Sequence, residues 1–159
     1  MSNEKQKTIL LVEDEVFIAM AEMSTLENFG YSVITANSGE EAVAIVAKTP
    51  GIDLILMDIN LGAGIDGTEA AVLILKQRDI PVVFLSSHIE PEIVAKTEKI
   101  TSYGYVVKAS SSTVLDASIK MAFKLFEAKI KENEKEVALR KSEDKYRTLV
   151  ETVDDVILL

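Results

Sequence analysis

Two acidic clusters, a serine pair and a lysine each stand where an apolar run stops. Ile9-Leu10-Leu11-Val12 leads into Glu13-Asp14, and Leu54-Ile55-Leu56-Met57 leads into Asp58. Val82-Val83-Phe84-Leu85 leads into Ser86-Ser87, and Tyr105-Val106-Val107 into Lys108. If Glu13, Asp14 and Asp58 converge, each like-charged pair at ~4 Å costs about 4 kcal/mol at an effective dielectric of roughly 20. A hard cation such as Mg²⁺ offsets that cost, because it prefers oxygen ligands and keeps water or phosphate oxygens in its shell. Lys108 brings a compact positive charge, and Ser86 or Ser87 a hydroxyl donor. These parts suit Asp58 to act as a carboxylate nucleophile toward a phosphoryl group. The metal, Lys108 and Ser86 would then neutralise charge on the equatorial oxygens.

For the residues to meet, the runs must lie side by side and end on one edge. Short continuous apolar runs bounded by turn residues are how strands of a parallel sheet read when both faces are covered. Ligands of such sheets sit at the carboxyl ends of the strands. The pattern predicts strands near 8–13, 32–36, 53–58, 81–86 and 104–108, alternating with helices near 15–29, 38–49, 67–77, 90–101 and from 112 onward. Ser38-x-x-Glu41 has the form of a capping box opening the second helix. Gly30, Pro50-Gly51 and Gly104 mark helix exits, and Pro81 stands where a strand begins without losing a ladder bond. Alternation of this kind predicts an α/β fold with a doubly wound, five-stranded parallel sheet.

Composition narrows the function. A chain of 159 residues, 48% hydrophobic, is long enough to bury one full core. A net charge of −9 argues against nucleic acid or an anionic membrane as partner, since both require clustered Lys and Arg. No apolar stretch approaches bilayer length, and the polar start Met1-Ser2-Asn3-Glu4-Lys5 does not read as a signal peptide. The absence of cysteine excludes disulfides and thiolate chemistry. The expected location is the cytoplasm.

The four strand-end motifs are Leu10-Leu11-Val12-Glu13-Asp14-Glu15, Leu56-Met57-Asp58-Ile59-Asn60, Pro81 through Ser86, and Tyr105-Val106-Val107-Lys108. In this order and spacing they resemble the receiver domain of two-component response regulators over residues 7–127. The resemblance implies a flavodoxin-like sheet of order 2-1-3-4-5. It implies phosphorylation on Asp58, with Glu13, Asp14, Asp58 and the carbonyl of Asn60 holding Mg²⁺. It implies that Ser86 and Lys108 grip the phosphoryl group, and that Ser86 and Tyr105 respond to it as switch residues. The implied phosphodonor is a histidine kinase or a histidine phosphotransfer domain.

The sequence departs from that family at two loops. Ala109 follows Lys108 where the family carries a proline with a cis peptide. A non-proline cis bond costs ~2.5–4 kcal/mol, so the Lys108–Ala109 bond is expected to be trans, with Lys108 still turned to Asp58. The loop after Asp58, Leu61-Gly62-Ala63-Gly64-Ile65-Asp66-Gly67, is one residue longer than usual and lacks the family's proline. Its G-x-G-x-x-G spacing matches a dinucleotide fingerprint, but it follows the third strand, and Asp58 would repel a pyrophosphate. His88, the only histidine, is placed in a loop at the site entrance or simply exposed, so it is no phosphodonor. Two other functions fit the sequence less well. A non-phosphorylated dimerising scaffold does not need the complete acidic set. A phosphohydrolase with an aspartate nucleophile wants a second acid where Asn60 stands.

After Phe126 the composition turns to Lys, Glu, Ala and Leu without Gly or Pro. The expected organisation is a receiver domain over 1–127, a helical linker over 128–141, and the truncated start of a PAS-like domain over 142–159. Val156-Ile157-Leu158-Leu159 reads as a strand-like run of that domain, and the chain as a fragment of a longer signalling protein, phosphorylated by a partner kinase or by a kinase module later in the full protein. Ile119, Phe123, Phe126, Ile130 and Val137 follow heptad spacing with Asn133 as a polar seam position, which predicts a homodimer through the C-terminal helix.

Overall fold

The computed structural model describes residues 4–87, 90–101 and 103–157, the last seven by their backbone alone. The apolar runs form β1 (Thr8–Val12), β2 (Ser32–Ala36), β3 (Leu54–Asp58), β4 (Val82–Ser86) and β5 (Tyr105–Val107). Between them lie α1 (Val16–Asn28), α2 (Gly39–Lys48), α3 (Gly67–Gln77) and α4 (Pro91–Ile100), and α5 (Ser112–Ile157) follows. All strand pairs are parallel, in the order β2-β1-β3-β4-β5. The chain divides into two units, Met1–Lys124 and Leu125–Leu159.

In the first unit, alternate strand residues serve opposite faces of the sheet. Leu10, Val12, Ile55, Met57, Val82 and Phe84 join one core cluster with Ala42 and Val46 of α2 and Ala70, Ala71 and Ile74 of α3. Leu11, Leu56 and Val83 turn the other way, and Leu26 of α1 with Ile119 and Ala122 of α5 are buried in the same unit. Tyr31 fixes α5 to the sheet: its hydroxyl donates to Asp116 at 3.2 Å and its ring lies 6.4 Å from that of Phe123. Burial and the Asp116 carboxylate push the Tyr31 phenol up to about 12.

Differences from the sequence reading are local. Ser38 caps α2 by accepting from Glu41 N–H at 3.1 Å, but Glu41 returns its carboxylate to Asn37 N–H rather than to Ser38. The complete capping box is at Asp66 and Glu69, opening α3. β5 has three residues rather than five, because Lys108 leaves the ladder after one bond to Ser86. Val156 and Ile157 are helical and not strand-like, since α5 continues through them; Leu158 and Leu159 lie outside the described residues. A four-residue apolar run carries no period of its own, so an adjoining helix decides its conformation.

In the second unit the helix is solvent-facing, with an Arg140–Glu136 ion pair at 3.0 Å one turn apart. Ile130 and Val137 are exposed there. Among the described residues no helix is long and apolar enough to cross a membrane.

Candidate functional site

Sheet register brings the chemical residues together. Val12 pairs with Met57, Asp58 with Leu85, and Ser86 with Val107, so four strands end within a residue of one another. Backbone bonds prolong the ladder just past its end: Glu13 N–H donates to Ala36 O at 3.0 Å, Ile59 N–H to Leu85 O at 3.1 Å, and Lys108 N–H to Ser86 O at 2.7 Å. Each functional side chain therefore roots in backbone that is already fixed.

The Lys108 ammonium bridges two carboxylates, donating to Glu13 Oε2 at 2.6 Å and to Asp58 Oδ2 at 2.8 Å. Asp58 Oδ1 accepts from Asn60 N–H at 3.2 Å. Carboxylate oxygens of Glu13, Asp14 and Asp58 all lie within 4.8 Å of one another. Glu13 and Asp58 are almost wholly buried, at 2% and 3% exposure, while Asp14 is half-buried. Burial, then the hydrogen bond and charge of Asp58, push the Glu13 carboxyl up to about 7, with Lys108 opposing. Burial works against the Lys108 charge, yet hydrogen bonds to Asp58 and Glu13 outweigh it and hold the ammonium above its ordinary value.

The donor set fits Mg²⁺. It is all hard oxygen, it is over-charged for one lysine, and Glu13 Oε1 is buried without a hydrogen-bond partner. A divalent ion meets all three demands at once.

Ser86 closes β4 at 1% exposure, beside the strand that ends in Asp58. Tyr105 opens β5 opposite Phe84 and packs on the core cluster, three residues before Lys108. Asn60 is exposed in the β3–α3 loop. No peptide bond among the described residues is cis, so the Lys108–Ala109 bond is trans and Lys108 nonetheless reaches Asp58. His88 lies outside the described residues.

The glycines of the β3–α3 loop have a steric explanation. A Cβ on Gly67 would stand 2.0 Å from the carbonyl oxygen of Asp58, and one on Gly62 would stand 3.1 Å from Asp14 Oδ2. The loop thus passes beside the Asp14 carboxylate and returns, at the start of α3, against the backbone at the end of β3. Glu40 of α2 ties it down, accepting from Ile65 N–H at 2.8 Å, and that backbone bond lowers the Glu40 pKa. Glu40 was not legible as part of the site, since nothing in its local sequence distinguishes it from an ordinary first-turn acid. The Asp66-x-x-Glu69 box has the same signature as Ser38-x-x-Glu41 and was open to the same reading.

The profile of the response regulator receiver domain matches residues 9–120, about 70% of the chain. The chain belongs to that family. Among curated relatives, the transcriptional regulatory protein PdtaR of Mycobacterium tuberculosis is 32% identical over 146 residues, covering 91% of this chain and 70% of that protein. Among solved structures, the N-terminal domain of a response regulator/sensory box/GGDEF three-domain protein from Carboxydothermus hydrogenoformans is 44% identical. It covers 78% of this chain and 99% of its own, at a TM-score of 0.73. The chemotaxis protein CheY4 of Vibrio cholerae is 26% identical, covers 74% of this chain and 99% of its own, and has a TM-score of 0.69. This receiver has the order 2-1-3-4-5 that the family resemblance implies, with a long C-terminal helix in addition.

Proposed function

We propose that this receiver accepts a phosphoryl group on Asp58, in a Mg²⁺-dependent reaction, from a histidine kinase or histidine phosphotransfer domain. The carrying observation is the meeting of Glu13, Asp14 and Asp58 within 4.8 Å with Lys108 at 2.8 Å from the nucleophile. An Asp58 oxygen attacks the phosphorus of a phosphohistidine, the P–N bond breaks, and the leaving imidazole takes up a proton. Mg²⁺, when bound, draws charge from the transferring oxygens; Glu13, Asp14, Asp58 and the Asn60 carbonyl are its ligands on this reading. Lys108 steadies the group with a point charge and Ser86 with its hydroxyl, while Tyr105 and Ser86 relay the change. In this chain the reaction is stoichiometric self-modification, not turnover of a separate substrate.

The signal leaves through α5. Ile130 and Val137 continue the apolar seam of Ile119, Phe123 and Phe126 into a stretch where they are solvent-exposed, which favours a parallel homodimer. A lone helix this polar gains little from propensity alone. The 44% identical domain from C. hydrogenoformans is named as part of a protein with a sensory box. By analogy, residues 1–127 act as receiver and 128–141 as linker, and 142–159 open a PAS-like domain in a cytoplasmic signalling protein. Mass spectrometry after incubation with a small-molecule phosphodonor tests the core of this reading. One added phosphoryl mass is expected with Mg²⁺ and none in chelator; equal uptake by Asp58→Asn refutes it.

A further inference from the structure

Behind Lys108, away from the acidic cluster, lies a cavity of about 180 Å³ that the phosphoryl chemistry does not use. Its walls include Glu22 and Thr25 of α1, Lys108 itself, and the serines of the Ser110–Ser112 loop. Glu22 presents a carboxylate oxygen, Oε2, that is buried and has no hydrogen-bond partner. Burying an unmet carboxylate oxygen is unfavourable, and an apolar side chain would line this wall without that cost. Burial raises the Glu22 pKa, the Lys108 charge draws it back down, and the Asp58 charge raises it.

We propose that Glu22 is a positioning residue for Lys108: a second acceptor to which the ammonium turns when Mg²⁺ takes over Glu13. The inference rests on the reading of Glu13, Asp14 and Asp58 as the metal site. Without metal, Lys108 holds Glu13 Oε2 at 2.6 Å, so an ion bound through the unpartnered Oε1 sets two further positive charges beside the ammonium and weakens that hold. An ammonium has three donors, and its hold on Asp58 at 2.8 Å occupies one. The bond from Lys108 N–H to Ser86 O, 2.7 Å long, fixes the root of the side chain while the flexible stem swings its head. Exchanging Glu13 for Glu22 keeps Lys108 on the nucleophile and moves its charge away from the ion. Glu22 thereby makes room for the ion without touching it.

Calorimetric titration of Mg²⁺ into the full chain, together with the Lys108 side-chain ¹⁵N resonance, tests this. Glu22→Gln keeps size and hydrogen bonding but removes the charge, and should weaken Mg²⁺ binding about fivefold, a typical coupling between contacting groups. Glu22→Asp should retain most of the affinity. In a Lys108→Met background, Glu22→Gln should change nothing, because the side chain it serves is gone. The Lys108 resonance should shift on adding Mg²⁺ to the wild type and less so in Glu22→Gln. Unchanged affinity in Glu22→Gln overturns the inference, as does an equal loss with or without Lys108, which would mean that Glu22 acts on the ion directly or only supports the fold. A wild-type chain that takes up no Mg²⁺ would instead overturn the reading of the acidic cluster itself.

Discussion

Replacing Lys108 with methionine should expose how the acidic cluster is held when metal is absent. The ammonium lies 2.6 Å from Glu13 and 2.8 Å from Asp58, both nearly fully buried. Removing one partner of a buried ion pair costs about 3–5 kcal/mol, because it strands the remaining charge. Glu13 has an escape, since its carboxyl is pushed up to about 7 and takes a proton easily. Its folded pKa is raised above the unfolded value of 4.5, so the stability it contributes is fully present below that value and lost as pH rises through about 7. Lys108 draws the Glu13 pKa down, so in the variant Glu13 keeps its proton to higher pH than in the wild type. Near pH 8, where the wild type has the full ion pair, the loss should be about 3–4 kcal/mol. Near pH 6 Glu13 is already neutral, one pKa unit is worth ~1.4 kcal/mol, and the loss should shrink to about 2. Urea unfolding in chelator at both pH values measures this, with equal slopes confirming that midpoints report stability. Mg²⁺ at ~100 times its Kd should restore about 2.7 kcal/mol. A variant as stable as the wild type near pH 8, or a loss that does not shrink on acidification, refutes the argument.

Gly67→Ala would place a Cβ 2.0 Å from the Asp58 carbonyl, so the β3–α3 loop must shift. Thermal unfolding should report a loss of about 1–3 kcal/mol, and phosphoryl uptake should slow, because the loop carries Asn60. Truncation after Glu127 should weaken any dimer detected by light scattering while leaving phosphorylation of Asp58 intact. A full chain that stays monomeric at high micromolar concentration, with or without a phosphoryl mimic, would remove the coiled-coil reading.

Much of the site was legible because a parallel sheet covered on both faces writes its strands as unbroken apolar runs. Glu13 and Lys108 are 95 residues apart, and nothing but their common position at strand ends announces the 2.6 Å contact between them. The same logic places Asp58 and Ser86 but says nothing about residues that arrive from helices. Glu40 and Glu22 are ordinary acids on α2 and α1, and their contacts depend on how those helices pack. The glycines at 62 and 67 were visible as a motif, yet their purpose depends on distances to Asp14 and Asp58 that only the folded loop defines. Ser38 shows the limit of local rules: its own hydrogen bond formed as expected, while Glu41 found a neighbouring donor one residue earlier. At the other end, Val156 and Ile157 had the right composition for a strand and were recruited by the helix before them.

The shortness of β5 limits what one of the two borders of the sheet, the one opposite β2, can offer a neighbouring chain. An edge strand is a template for a neighbouring chain, and its hazard grows with the length of unpaired backbone. With three residues, and successive backbone groups alternating between its two sides, β5 leaves about two residues' worth of outward donors and acceptors. Such a border is too brief to seed sheet growth. At that border, contact with another protein falls to side-chain surfaces, where sequence can specify the partner, and not to backbone pairing, whose strength is indifferent to side chains.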